Sequence, residues 1–260
     1  MGKTGTTSTA AAFGAYRSGH EVDAIRMKRV AARSRAGDLR PGAARRELRR
    51  RDLRFRLEVD SAHFLTPFVP QLADMYPRAR FVVLLRDCFS WVDSLLEHWA
   101  RIAMRTMDQR PGSPDLSGIS TVPSVVRSWV SVEGQLREGR ATAGLAVALL
   151  RTWAATNTRL LADAPAARTL LVRTDDLDAA GPDLAALCGV DLAQLRPGLH
   201  WNAASSRHGL LANVPPELLV SEAERWCAPL MEQHWGPEWR TLVARIPAAL
   251  DGESSRGHTP

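Results

Sequence analysis

An α/β fold, with a mostly parallel central sheet flanked by helices, is the class this sequence predicts, and three observations predict it. "RFVVLL" (residues 80–85) is an unbroken β-branched and apolar run, the pattern of a strand buried on both faces. It passes straight into "FSWVDSLLEHWARIAM", where Phe89, Val92, Leu96 and Trp99 fall on one side of a helix. Further apolar stretches at strand length then alternate with helical periods, and no internal repeat replaces that alternation.

Taken in order, the small residues of "TTSTAAAFGAYRSG" predict a first helix that closes at Gly19. "EVDAI" predicts a short strand, residues 26–56 an arginine-rich helical insertion, and "FRLEVD" a second strand. "PFVPQLADMYP" predicts a helix entered and left through prolines. Residues 107–122 are dense in Gly, Pro, Ser and Asp, as expected of a substrate-side lid loop. Helices are expected at 123–137 and 142–162, a strand at "TLLVRT", a helix through "LAALCG", and one late helix over "PPELLVSEAERWCAPLMEQHW". Residues 1–250 form one domain in this reading, and 251–260 a frayed tail.

Composition narrows the function classes. Apolar residues make up 45% and charged residues 24%, usual for a globular domain, and no apolar run reaches the length of a membrane span. Three unclustered cysteines and the absence of a secretory-type start predict a reducing cytoplasm, with neither structural disulfides nor a zinc site. Residues 26–56 hold about thirteen Lys/Arg against three acids, so the basicity of the chain is local. No aromatic residue interleaves with those charges before Phe55, which argues against a nucleic-acid arm. A solvated helical insertion that also draws an anionic cofactor or acceptor toward a nearby cleft is the expectation.

The opening "MGKTGTTS" has the chemistry of a phosphate loop. Gly5 allows a tight turn, Thr6, Thr7 and Ser8 bring hydroxyls to a helix N-terminus, and Lys3 brings a mobile ammonium. The triphosphate motif G-x-x-x-x-G-K-[ST] is matched only by "GKT", half of it being absent. Asp87 after "FVVLLR" is the magnesium-site residue of a kinase or NTPase reading, which stays open beside that of a non-catalytic nucleotide-binding relative. Arg86, at the mouth of a parallel sheet, suits a second phosphate that ATP does not carry.

In these two stretches the chain resembles the sulfotransferases that use 3′-phosphoadenosine 5′-phosphosulfate (PAPS). Their 5′-phosphosulfate loop runs approximately P-K-x-G-T-T-x-L, and "GKTGTTST" matches at Lys3, Gly5, Thr6 and Thr7. Their 3′-phosphate signature is an apolar strand, an arginine, and a serine eight residues on, which "FVVLLRDCFSWVDS" meets with Arg86 and Ser94. "SSRHG" resembles their late basic-glycine loop, with Arg207 in the phosphate-binding place.

The resemblance implies a P-loop type of fold and sulfuryl transfer from PAPS, without a metal, to a hydroxyl or amine of a small-molecule, carbohydrate or lipid acceptor. Lys3 would meet the bridging oxygen. Two residues are candidate bases: His63 resembles the histidine of the cytosolic branch, and Glu21 the glutamate of carbohydrate-modifying branches. Glu21 is slightly favoured, since it follows the phosphate-loop helix directly. A salt bridge to the insertion is the competing role for Glu21, and simple burial that for His20 or His63. Two departures stand out. Gly2 and Cys88 replace prolines common in the family, and the family's complete strand before the loop has only Met1 and Gly2 here. Either chain precedes Met1 or the sheet lacks its central first strand.

Overall fold

The computed structural model describes residues 4–105, 134, 141–196 and 208–247. Its strands are β1 (Ser18–His20), β2 (Val59–Ser61), β3 (Phe81–Leu85) and β4 (Thr169–Arg173). β1 pairs with β2 and β3 with β4, both parallel, the latter in register from Phe81 opposite Thr169 to Leu85 opposite Arg173. The α/β class with parallel pairing between helices is thus the observed one. The described strands form two separate pairs, with no strand between β2 and β3. A cavity of about 530 Å³ lies between the pairs, walled by β2, by Phe81–Leu84 of β3, and by Thr4, Thr6, Phe13 and His63. Strand edges and apolar side chains make it an inter-strand space beneath the loop.

Packing follows the periodicities. Helix α5 (Cys88–Arg105) buries Phe89, Val92, Leu96 and Trp99 completely, as the 3.6-residue stripe demands. Its first turn is capped by Asp87, whose Oδ1 accepts the Ser90 N–H at 2.9 Å. Helix α6 (Ala143–Asp163) is capped by Thr142 and buries Leu149, Leu150 and Trp153 against α5. The Trp153 indole N–H donates to the Arg86 carbonyl at 2.9 Å, fixing the end of β3. Trp99, on the predicted helical stripe, and Trp153 are therefore core. The basic stretch folds as two helices, α2 (Ala24–Arg35) and α3 (Ala43–Phe55), which bury Met27, Ala31 and Leu48 against Phe64 and Phe68. Helix α4 (Val69–Met75) leads into β3, and α7 (Gly181–Cys188) covers β4.

Several boundaries differ from expectation. Helix α1 spans only Thr6–Ala12, and Gly19 lies inside β1 instead of closing a helix. "EVDAI" is no strand: Glu21 and Asp23 take positive φ, 51° and 59°, in the turn from β1 into α2. "FRLEVD" yields a strand only from Val59, because α3 continues to Phe55. The late helix is two, α8 (Pro216–Trp226) and α9 (Ala228–Trp235), broken at Cys227. Cys227 also approaches the buried Cys88 thiol, which burial and that neighbour push up, so two of the cysteines do meet in space. The expected lid at 107–122, the helix at 123–137 apart from helical Gly134, and the tail lie outside the described residues.

Candidate functional site

Gly5 sets the geometry of the opening loop. Its φ of 94° is left-handed, which favours glycine, and a Cβ there would stand a tight 3.3 Å from Leu177 Cδ2. Its carbonyl receives the Thr9 N–H at 2.9 Å and the Thr9 hydroxyl at 3.1 Å, closing the first turn of α1. Gly5→Ala should therefore cost about 1–2 kcal/mol. The cost should appear as a lower Tm in thermal melts, and an unchanged Tm would show that the loop tolerates another conformation.

Two hydroxyls pin the loop to the sheet. Ser61 Oγ, at the end of β2, donates to the Thr6 carbonyl at 2.8 Å. Thr174 Oγ1, just past β4, lies 3.1 Å from the Thr4 carbonyl and 3.3 Å from that of Leu85, the residue before Arg86. The loop and the end of β3 thus meet at one hydroxyl, whose single proton the two carbonyls share.

Around Thr6 and Thr7 the fold gathers four side chains from three other segments. His20 Nε2, at the end of β1, is 3.1 Å from Thr6 Oγ1 and 3.2 Å from Thr7 Oγ1. The next residue, Glu21, is turned inward by its positive φ while its N–H donates to the Ser61 carbonyl at 3.0 Å. Its two carboxylate oxygens are both engaged: Oε1 meets His63 Nδ1 at 2.5 Å, and Oε2 receives Lys28 Nζ from α2 at 3.2 Å. His63 is buried, and its Nε2 has no hydrogen-bond partner among the described residues. The two candidate bases thus form one hydrogen-bonded pair.

Electrostatics divide their roles. Burial raises the Glu21 carboxyl, but the bond to His63, the charge that residue carries when protonated, and Lys28 outweigh it and hold the group at about 2. His63 is pushed below its usual value of 6.5 by burial, against the pull of Glu21. Lys28 remains a cationic partner for Glu21 when His63 is neutral. At neutral pH the pair is a carboxylate and a neutral imidazole, with Nδ1–H donated to Glu21 and the Nε2 lone pair left over. The stability contributed by Glu21 is full above its unfolded value near 4.5 and is lost as pH falls through about 2.

At the end of β3, Arg86 Nε donates to Ser90 Oγ at 3.0 Å, and Ser90 donates in turn to Asp87. Ser94 lies one turn further along α5. Ser90, unmarked by the sequence pattern, is thus the serine that orients the guanidinium. Asp87 is buried and committed to the helix cap and to Ser90. Beyond Ser94, buried Glu97 accepts the N–H groups of His208, at 2.9 and 3.0 Å, and of Leu210 at 3.4 Å. It anchors the chain immediately after Arg207. Lys3 and Arg207 themselves lie outside the described residues, and Ser8 is buried in the first turn of α1.

A family model described as the sulfotransferase domain matches residues 1–176. The chain belongs to the sulfotransferase domain family. No curated protein and no solved structure matches it. The match in this sulfotransferase takes in the loop, the Glu21–His63 pair and the Arg86 strand end, and stops short of Arg207. Among the described residues no helix is long and apolar enough to cross a membrane.

Sequence reasoning singled out the loop, Glu21, His63 and Arg86, and missed Lys28, Ser61, Ser90 and Thr174. It weighed His20 only as a buried residue. The adjacency of His20 to Glu21 in "SGHE" was the available signal. Ser90 stands four residues after Arg86 and three after the capping Asp87, a local helical spacing, whereas Lys28, Ser61 and Thr174 act through contacts more distant in sequence.

Proposed function

We propose that this sulfotransferase transfers a sulfuryl group from PAPS to a hydroxyl or amine of a small-molecule, carbohydrate or lipid acceptor. The observation that carries the reading is the Thr174 hydroxyl, which lies within hydrogen-bond reach of both the Thr4 carbonyl of the loop and the Leu85 carbonyl at the strand end bearing Arg86. Two anion-binding groups held in fixed relation suit a nucleoside with phosphates on both its 3′ and 5′ sides. In this reading PAPS supplies the activated sulfuryl group.

The chain's own residues would do the rest. The backbone of Gly5, Thr6 and Thr7, with Ser8 and Lys3, holds the 5′ side. His20, against the Thr6 and Thr7 hydroxyls, adds an imidazole there. Arg86, oriented by Ser90, holds the 3′-phosphate together with Ser94 and Arg207. His63 Nε2 takes the acceptor proton, and Glu21, held by Lys28, fixes the imidazole tautomer. A new S–O or S–N bond forms as the bond to the bridging oxygen breaks, and Lys3 meets the charge left on that oxygen. Adenosine 3′,5′-bisphosphate leaves.

A kinase reading would need Asp87 for magnesium, and the cap and Ser90 already occupy that carboxylate. The discriminating measurement is titration calorimetry of adenosine 3′,5′-bisphosphate without magnesium and of ATP with it. Tighter binding of the bisphosphate is expected, and tighter magnesium-dependent binding of ATP would overturn the assignment.

A further inference from the structure

The helical hairpin α2–α3 carries a feature that sulfuryl transfer does not use. Arg51 of α3 donates to the Val22 carbonyl at 3.0 and 3.1 Å, and Arg26 of α2 pairs with Glu47, so the helices run antiparallel. The start of α2 and the end of α3 share one end of the hairpin, beside the Glu21–His63 pair. The inner faces are fixed by Met27, Lys28, Ala31, Leu48 and Arg51.

The outer faces combine charge with exposed apolar side chains. Three large hydrophobic residues are exposed among the described residues, and the two most exposed, Ile25 at 64% and Leu53 at 58%, both lie here. At 100° per residue, Leu53 lies within about 60° of Arg46, Arg49 and Arg50 on α3, and Ile25 within about 40° of Arg29 on α2. Carboxylates accompany Arg26, Arg45, Arg49 and Arg51, whereas Arg29, Arg46 and Arg50 have none within ion-pair reach among the described residues.

We propose that this outer face is a docking surface for a lipid bilayer bearing anionic headgroups. Arginines without acidic partners give the electrostatic attraction, and Ile25 and Leu53 supply the apolar contacts that an acyl-chain boundary rewards. A soluble polyanion would use the arginines but gain nothing from an exposed isoleucine and leucine. Nucleic acid would call for stacking platforms, and the hairpin's one aromatic, Phe55, is covered by the Arg54 guanidinium at 4.9 Å from its ring centre. The surface is independent of the chemistry proposed for the site, so its test can fail while sulfuryl transfer stands, and the reverse.

The experiment is co-sedimentation of the full chain with vesicles of phosphatidylcholine containing about a third phosphatidylserine, and with phosphatidylcholine alone. Binding is expected only to the anionic vesicles. Each arginine near the surface is worth about fivefold, so Arg46→Gln/Arg50→Gln should weaken it by about twentyfold or more. Ile25→Ser/Leu53→Ser should weaken vesicle binding several-fold at raised salt, with thermal melts unchanged because all four positions are exposed. Equal binding to neutral vesicles, absence of binding, or wild-type vesicle binding by Ile25→Ser/Leu53→Ser overturns the proposal. So does tighter binding to duplex DNA that is lost with the same two arginines.

Discussion

His63→Asn is expected to lower turnover by about 10² to 10⁴ while leaving nucleotide affinity nearly unchanged, because it removes the one atom of the pair free to take a proton. Glu21→Gln should fall in the same range. Both oxygens of Glu21 are engaged, by His63 and Lys28, and its carboxyl is held at about 2, which makes it a weak base but an effective orienting group. Residues that act as a unit are not additive, so the double variant should be little worse than the poorer single one. The pH profile supplies a second readout. Burial lowers the His63 pKa below 6.5, so the acid limb of kcat/KM should lie below that value, with activity lost as the imidazole protonates. In Glu21→Gln the limb should move further down, since the anion that favours imidazolium is gone. A deep loss in Glu21→Gln beside near-normal turnover in His63→Asn would return the role of base to Glu21 acting alone.

What the sequence made legible here was local in origin. The apolar run Phe81–Leu85, the stripe on α5 and the strand Thr169–Arg173 are each written in consecutive residues, and each forms where expected. Boundaries moved where tertiary contacts decide them. The short stretch around Gly19 carries no strong local preference, and pairing with β2 settles Ser18–His20 as strand. Cys227 breaks the late helix at a point where its thiol is buried between the Leu150 carbonyl and Cys88. The site divides in the same way. Gly5 and Arg86 were visible because their residue types fit a chemistry at a spacing, and Glu21 and His63 through the resemblance to the family. That Glu21 and His63 touch depends on the parallel pairing of β1 with β2, which brings positions 21 and 63 to the same strand ends. Lys28 reaches Glu21 across one turn of α2, and Thr174 reaches the loop across 170 residues of chain.

Arg86→Ala is expected to weaken adenosine 3′,5′-bisphosphate by at least tenfold, since losing a charge-assisted pair to a partly buried phosphate costs about 2–5 kcal/mol. AMP, which has no 3′-phosphate, should bind the variant almost as it binds the wild type. The difference between the two ligands separates a lost phosphate contact from a general loosening of the fold, which would weaken both. Ser90 adds an internal control. It receives the Arg86 Nε–H and donates to Asp87, so Ser90→Ala should leave the charge in place but unsteady, with a smaller loss confined to the bisphosphate. Ser94→Ala should likewise act only on the bisphosphate, through its own hydroxyl. Titration calorimetry of both nucleotides against the three variants, without magnesium, gives the full set. Equal losses for AMP and the bisphosphate in Arg86→Ala would remove the 3′-phosphate from this strand end.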